Sequence, residues 1–281
     1  MRRIDFSAID WQRPWLSHLR ELGHQLAVSP DWIATATELA RERGLNNAAG
    51  LPVVFVPQDA LPNSIGYEAH ISATGQVPTR DNLHDFFNAL IWLHFPLTKR
   101  TLNQLQAQEI HRQPQKNLRG RQRDAATLFD ENAALFISKD PAKIAFLKCR
   151  EWRALLFSDA RNFHSECTVI LFGHALLEKL IHPYKAITAH VWSMPSETFI
   201  TDYRAGFSLA EVDDTLASSI ASGFTSHDFS HLPVLGVPGW WEGQNEAFYA
   251  DAAVFRTPNN RDSAAAHQAH KKTRPSAGEE T

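Results

Sequence analysis

The sequence predicts an α+β fold: a single mostly helical domain with a few short strands, spanning residues 1–256, followed by a disordered tail over 257–281. Three observations carry this. Apolar residues recur at helical spacing through most of the long segments. Apolar runs of strand length are few, bounded by Pro or Gly, and do not alternate regularly with helices, which disfavours a doubly wound sheet. No internal repeat or linker divides the 281 residues, whereas from Thr257 onward the chain is polar, rich in Ala, Lys and His, and without periodicity.

Composition narrows the class. The chain is 43% hydrophobic and 21% charged, ordinary for a globular protein, and its 8 Trp and 17 Phe imply a bulky core. A formal net charge of -3 supplies no basic field to draw the chain onto nucleic acid or anionic membrane. Cys149 and Cys167 both sit in apolar contexts and read as buried thiols of a reduced compartment. The start, Met1-Arg2-Arg3-Ile4-Asp5, lacks the apolar run of a secretory signal. No apolar run is long enough for a membrane helix, and cytoplasm is the expected location.

In chain order, Pro14 to His24 reads as a short helix. A second helix starts at Ser29-Pro30-Asp31, with a cap followed by Pro at the first helical position, and stops at Gly44. Pro52 to Val56 is a short buried strand. Tyr67 to Thr74 is a helix closed by Gly75. Pro78 turns the chain into a central helix capped by Thr79 or Asp81 and broken by Pro96, and another helix runs from Leu97 to Ile110. Arg112 to Arg123 is a basic loop. Ala125 to Phe129 and Ala134 to Ser138 read as a hairpin around Asp130-Glu131-Asn132. Asp140-Pro141 opens a long helix to about Ala160. Cys167 to Phe172 is a strand, and Gly173 is the hinge into a helix from His174 to Ile181. Tyr184 to Trp192 reads as a strand. Ser208 to Glu211 is a capping box for a helix ending near Gly223. The stretch from Leu232 to Trp241, rich in Pro and Gly, is expected to wrap the surface, and Phe248 to Phe255 to form a last strand or short helix.

The chain is organised around Thr79 to Leu93. At 3.6 residues per turn, Leu83, Phe86, Phe87, Leu90, Ile91 and Leu93 fill one side of this helix, and His84, Asp85 and Asn88 gather on the other. His84 and Asn88 at i,i+4 can converge on one ion or water. Imidazole is a general base near neutral pH, and a carboxylate can orient it or bind metal. The plain alternative is a solvated helix face. His94 projects to the apolar side and reads as a satisfied core histidine. The other His-Asp pair, His227-Asp228, lies in a loop, and with 14 histidines in the chain about one such pair is expected by chance.

A second constellation is His174 with Glu178 one turn on, then His182, opposite a face of Leu176, Leu177 and Leu180. Imidazole and carboxylate together suit zinc or another divalent ion. The acidic turn at Asp130-Glu131-Asn132 is better explained by local turn bonding than by ligation. Arg121 and Arg123 in the basic loop could grip phosphate. Trp240-Trp241 reads as a packing anchor. Signatures of a serine esterase, a P-loop ATPase, a Rossmann dehydrogenase, a zinc ribbon and a zincin are all missing from the sequence.

Several runs together resemble a family. They are Gly75 to Trp92 with Phe95-Pro96 and Lys99, Arg123-Asp124-Ala125 with Leu128 to Asn132, Phe172 to Leu176 with Glu178-Lys179, and Leu232 to Trp240. These blocks are similar to a bacterial family catalogued as a domain of unknown function, DUF3025. The resemblance implies a bacterial, single-domain protein and brings no activity with it.

The functional expectation is a metal- or histidine-assisted hydrolase of the phosphoester class. His84, Asp85, Asn88 and Arg80 are the catalytic candidates. His84, His174 and Glu178 are the candidate ligands of zinc or manganese. A small-molecule or phosphate-containing substrate is implied, with no membrane partner and little to favour nucleic acid. The alternative is a non-catalytic binding or scaffold protein.

Overall fold

Side-chain caps at Asp31, Asn82, Asp140 and Asn245 fix the starts of four of the helices. The computed structural model describes residues 4–112, 120–195 and 208–257. The expected tail from 258 onward and most of the basic loop lie outside them.

The first helical segment is split. One tight turn at Pro14–Leu16 is followed by a bend and then by α1 (Arg20–Ala27). At that bend the His18 ring bonds the carbonyl of Leu171 (2.9 Å). Helix α2 (Trp32–Glu42) is capped by Asp31, which accepts the amide of Ala34 (3.0 Å). Ser29, the expected cap, pairs with the Thr35 hydroxyl instead. Strand β1 (Val54–Pro57), helix α3 (Tyr67–Thr74) and strand β2 (Gln76–Thr79) make a small crossover unit with the two strands parallel. Gly75 closes α3 at φ +74°, and a Cβ there would lie 2.2 Å from the Pro52 carbonyl oxygen. Strand β2 was not foreseen, because its Pro78 reads as a turn.

Helix α4 (Leu83–His94) is the central helix, and its cap is Asn82, which accepts the Asp85 amide (2.8 Å). Neither expected cap serves. Thr79 belongs to β2 and bonds Val77, and Asp81 accepts the Trp32 indole (2.8 Å). Phe86, Phe87, Leu90 and Ile91 are fully buried. Burial of each such side chain contributes about 1.5–3 kcal/mol. Helix α5 (Pro96–Arg112) begins at the predicted break.

The expected hairpin is wrong. Residues Arg121–Asn132 form helix α6, which runs directly into β3 (Ala133–Ser138). Ala125, Ala126 and Phe129 recur at helical spacing and are all buried, so a helix hides them on one face where a strand would not. The expected long helix to Ala160 also fails. Helix α7 (Pro141–Lys148) stops where Arg150 turns left-handed (φ 54°), and one wide turn (Arg153–Phe157) and the short α8 (Phe163–Glu166) follow.

Strand β4 (Cys167–Leu171), helix α9 (His174–Lys179), strand β5 (Thr188–Pro195), helix α10 (Leu209–Ile220), strand β6 (Ser230–Pro233) and helix α11 (Glu246–Tyr249) complete the chain. The Ser208 capping box does not form, since its side chain makes no cap bond. The other four strands form one sheet in the order β4-β3-β5-β6, with β3 and β5 parallel and both outer pairs antiparallel. The Leu232–Trp241 stretch, expected on the surface, supplies β6 and buries Leu232, Val234, Leu235 and Val237. Pairing of β6 with β5 carries these residues inward. Trp240 does anchor the end, packing on Trp15 at 6.0 Å. Helices dominate and the strands are short, so the fold is the α+β, mostly helical domain that the sequence predicts. Among the described residues no helix is long and apolar enough to cross a membrane.

Candidate functional site

Antiparallel pairing sets up the site. Ala134 of β3 lies opposite Leu171 of β4, so the end of α6 and the start of α9 meet at one edge of the sheet. Gly173 makes the meeting close. Its amide bonds the Ala133 carbonyl (2.8 Å), and a Cβ on it would lie 2.5 Å from the Asn132 nitrogen. The next residue, His174, therefore stands beside Asp130 and Glu131. Helix α4 packs on α9 and presents His84 to the same spot.

The two imidazoles meet through their Nε2 atoms at 3.0 Å. The Glu131 carboxylate lies 3.6 Å from the Nε2 of His174 and 4.0 Å from that of His84. His84, Glu131 and His174 each offer one ligand atom within 4.8 Å of the others, a two-imidazole, one-carboxylate set. That donor set suits zinc with an open fourth position. Each imidazole also has a carboxylate neighbour. The Nδ1 of His84 donates to Glu178 (3.0 Å), which leaves its Nε2 lone pair facing His174. The Nδ1 of His174 faces Asp130 at 3.9 Å and has no hydrogen bond, an orphaned polar atom in a buried ring. Carboxylates behind metal-bound imidazoles fix ring orientation and raise basicity.

Burial pushes His174 down to about 4, against the pull of Asp130, so it is neutral at ordinary pH. Burial raises the Glu131 carboxyl, and the charge of Asp130 adds to the effect. Asp130 is buried too, yet its pKa is lowered, because the Lys99 ammonium 2.5 Å away and the His174 ring outweigh desolvation.

The site opens into a cleft of about 280 Å³ lined by Gln58, Tyr67, Glu68, Arg80, Asp85, Asn88, Gln106 and Thr127 together with His84, Asp130, Glu131 and His174. The polar sector of α4 is thus not a solvated face, since Asp85 and Asn88 are each 7% exposed. Neither of them orients His84, however. Asp85 holds Arg80, accepting from Nε (3.0 Å), Nη2 (2.9 Å) and the backbone amide (2.6 Å). Asn88 accepts from Lys99 (2.8 Å) and donates to Tyr67 (3.1 Å). The orienting carboxylate of His84 is Glu178, which bonds its Nδ1 and not the side turned toward His174. Glu131 stands where the sequence places Glu178.

His182 follows α9 in the turn before Pro183 and takes no part. Arg121 and Arg123 lie in the first turn of α6 and do not line the cleft. His94 bonds the Leu90 carbonyl (2.8 Å), as a satisfied core histidine should. His227-Asp228 forms a capped turn with Thr225. In the sequence Glu131 reads as a turn residue, whereas it lies in the last turn of α6. Placing Asp130-Glu131 on a helix would have exposed it. Tyr67 and Glu68 carry no local signal at all.

Residues 53–259 match the model of a family described as "Protein of unknown function (DUF3025)". Neither a curated protein nor a solved structure matches the chain.

Proposed function

The chain belongs to the DUF3025 family, and from that premise we propose a metal-dependent hydrolase acting on a phosphoester, with zinc or manganese held by His84, His174 and Glu131. The observation that carries this reading is the approach of the two Nε2 atoms to 3.0 Å beside the Glu131 carboxylate, each ring having a second carboxylate near its Nδ1.

Formal charge supports a cation. Arg80 with Asp85 and Lys99 with Asp130 cancel in pairs. Among the described residues Glu131 and Glu178 make no ion pair with Lys or Arg, and one divalent ion would balance these two carboxylates. Such an ion would lower the pKa of its bound water to about 7 and so supply a nucleophile at neutral pH. The phosphoester class rests on Arg80, whose side chain is 51% exposed at the cleft and whose Nη1 is not used by Asp85. Cytoplasm is part of the same proposal, and the two free thiols suit a reducing compartment.

Calorimetric titration with zinc and with manganese tests the reading, followed by metal-dependent release of nitrophenol from p-nitrophenyl phosphate. One ion bound per chain, lost in Glu131→Gln, is expected. Purified protein that carries no metal and gains no stability from either ion ends the proposal.

One observation favours a second reading. A proton shared between the two Nε2 atoms at 3.0 Å occupies both of those atoms with no ion, as a non-catalytic binding protein would need. The same titration separates the two.

A further inference from the structure

Beside the histidine pair runs a chain of hydrogen bonds whose direction can be read from one fixed point. Lys99 of α5 is buried (5% exposed), and its ammonium bonds Asp130 (2.5 Å) and the Asn88 amide oxygen (2.8 Å). An ammonium has only donors, so the atom of Asn88 that faces it must be the oxygen. That fixes the amide orientation, which is otherwise ambiguous. The other end of Asn88, its NH2, then points at the Tyr67 phenol (3.1 Å) and can only donate. The Tyr67 oxygen is therefore an acceptor in this contact, and its own proton is left over. Among the described residues no acceptor takes it. Tyr67 lines the same cleft as His84, Glu131 and His174.

The geometry points to Tyr67 as the neutral hydrogen-bond donor to the non-bridging oxygen of a phosphoryl group held at the histidine–glutamate site. This rests on the proposed hydrolase reading. Asn88 and Lys99 are positioning residues: they never touch the substrate and act by keeping the phenol's proton free. Burial among carboxylates raises the phenol well above its ordinary range, so it stays protonated and donates without transferring its proton. A preset donor aimed at developing charge contributes about 10²–10³ in rate when measured by removal. The arrangement also explains why an asparagine and a lysine 11 positions apart are bonded to each other beside the cleft.

The sharpest test is Asn88→Asp. It keeps an acceptor for Lys99 but replaces the NH2 with a second acceptor oxygen, which captures the phenol's proton. With zinc-loaded protein and inorganic phosphate as the probe, Tyr67→Phe and Asn88→Asp are both expected to weaken phosphate binding at least tenfold. Zinc affinity should change less than threefold in each. The double variant should be no worse than either single one, which a merely structural role for Asn88 would not produce. Where p-nitrophenyl phosphate is turned over, kcat should fall in the same pattern. Zinc bound normally with phosphate affinity equal in wild type and Tyr67→Phe, or no phosphate bound at all, overturns the role of Tyr67 and leaves the metal site standing. No zinc uptake by the wild-type protein overturns both.

Discussion

Helix α4 has a histidine near each end, and each stands beside a second histidine in a cleft. At the start are His84 and His174. At the finish are His94 and His18, in a cavity of about 610 Å³ that Arg43 and Asp213 also line. Burial lowers basicity at both ends of the helix: His174 falls to about 4, His94 to about 4 and His18 to about 3. Depressed basicity therefore does not mark a functional site here. What differs is where the ring nitrogens point. His18 donates to the Leu171 carbonyl and His94 to the Leu90 carbonyl, and the rings stand 6.5 Å apart. Each ring has given its proton to the backbone, and the two do not converge. At the other end two Nε2 atoms and a carboxylate meet at one point. Burial can make a histidine neutral, but convergence with other donors is what would let it hold an ion.

The comparison can be broken most forcefully at Lys99, which has no counterpart at the His94 end. Lys99→Met strips Asp130 of its buried partner and should destabilise the fold by about 3–5 kcal/mol, read from urea denaturation. A loss below about 1 kcal/mol would show that Asp130 does not depend on the ammonium. Acid comes next. His174 takes up its proton at about 4 when folded and near 6.5 when unfolded. Between those values the unfolded chain holds more protons, so this contribution is intact above 6.5 and is lost as pH falls, the loss being complete below about 4. The loss amounts to roughly 3 kcal/mol for this one group. His18 and His94 act with the same sign. Saturating zinc should protect against the His174 part alone, and an acid midpoint that zinc leaves unmoved would place all the titration at the other pair.

A third and smaller contrast uses affinity. His84→Ala should weaken zinc binding by about 100-fold or more, since one of the three proposed ligands would be gone, whereas His94→Gln should leave it within about threefold. Equal losses in a calorimeter would erase the distinction between the two ends. The mildest expectation concerns Glu178, which touches only the outer nitrogen of His84. Glu178→Gln should cost about 10- to 100-fold in zinc affinity, the usual effect of removing a carboxylate behind a ligand. A complete loss would instead make Glu178 a ligand, as the sequence suggests.

Much of this was legible before any coordinates. The apolar stripe of α4, the glycine that ends α3, the break at Pro96 and the strand–glycine–helix at Gly173 all follow from local rules, and each is found. His84 and His174 were singled out from helical spacing alone, although 94 positions separate His84 from the Glu178 it bonds. What was hidden depends on long-range pairing. Asp130-Glu131 reads equally well as a turn or as a helix end, and only the burial of Ala125, Ala126 and Phe129 decides between them. Asn82 caps α4 because Asp81 is already engaged by Trp32, a residue 49 positions away. Tyr67 and Glu68 enter the cleft through the β1–α3–β2 crossover, which Pro78 disguises.

One small residue offers a handle on all of it. Gly173 lies against the backbone of Asn132 and Ala133 with no room for even a methyl group. A bulkier residue there would act as a wedge at the seam that seats His174 beside Glu131, while every side chain of the three-membered set stayed chemically intact. Substitution at this position is thus a route to a blank version of the protein, with its reagents present but held apart, against which any activity of the native chain could be calibrated.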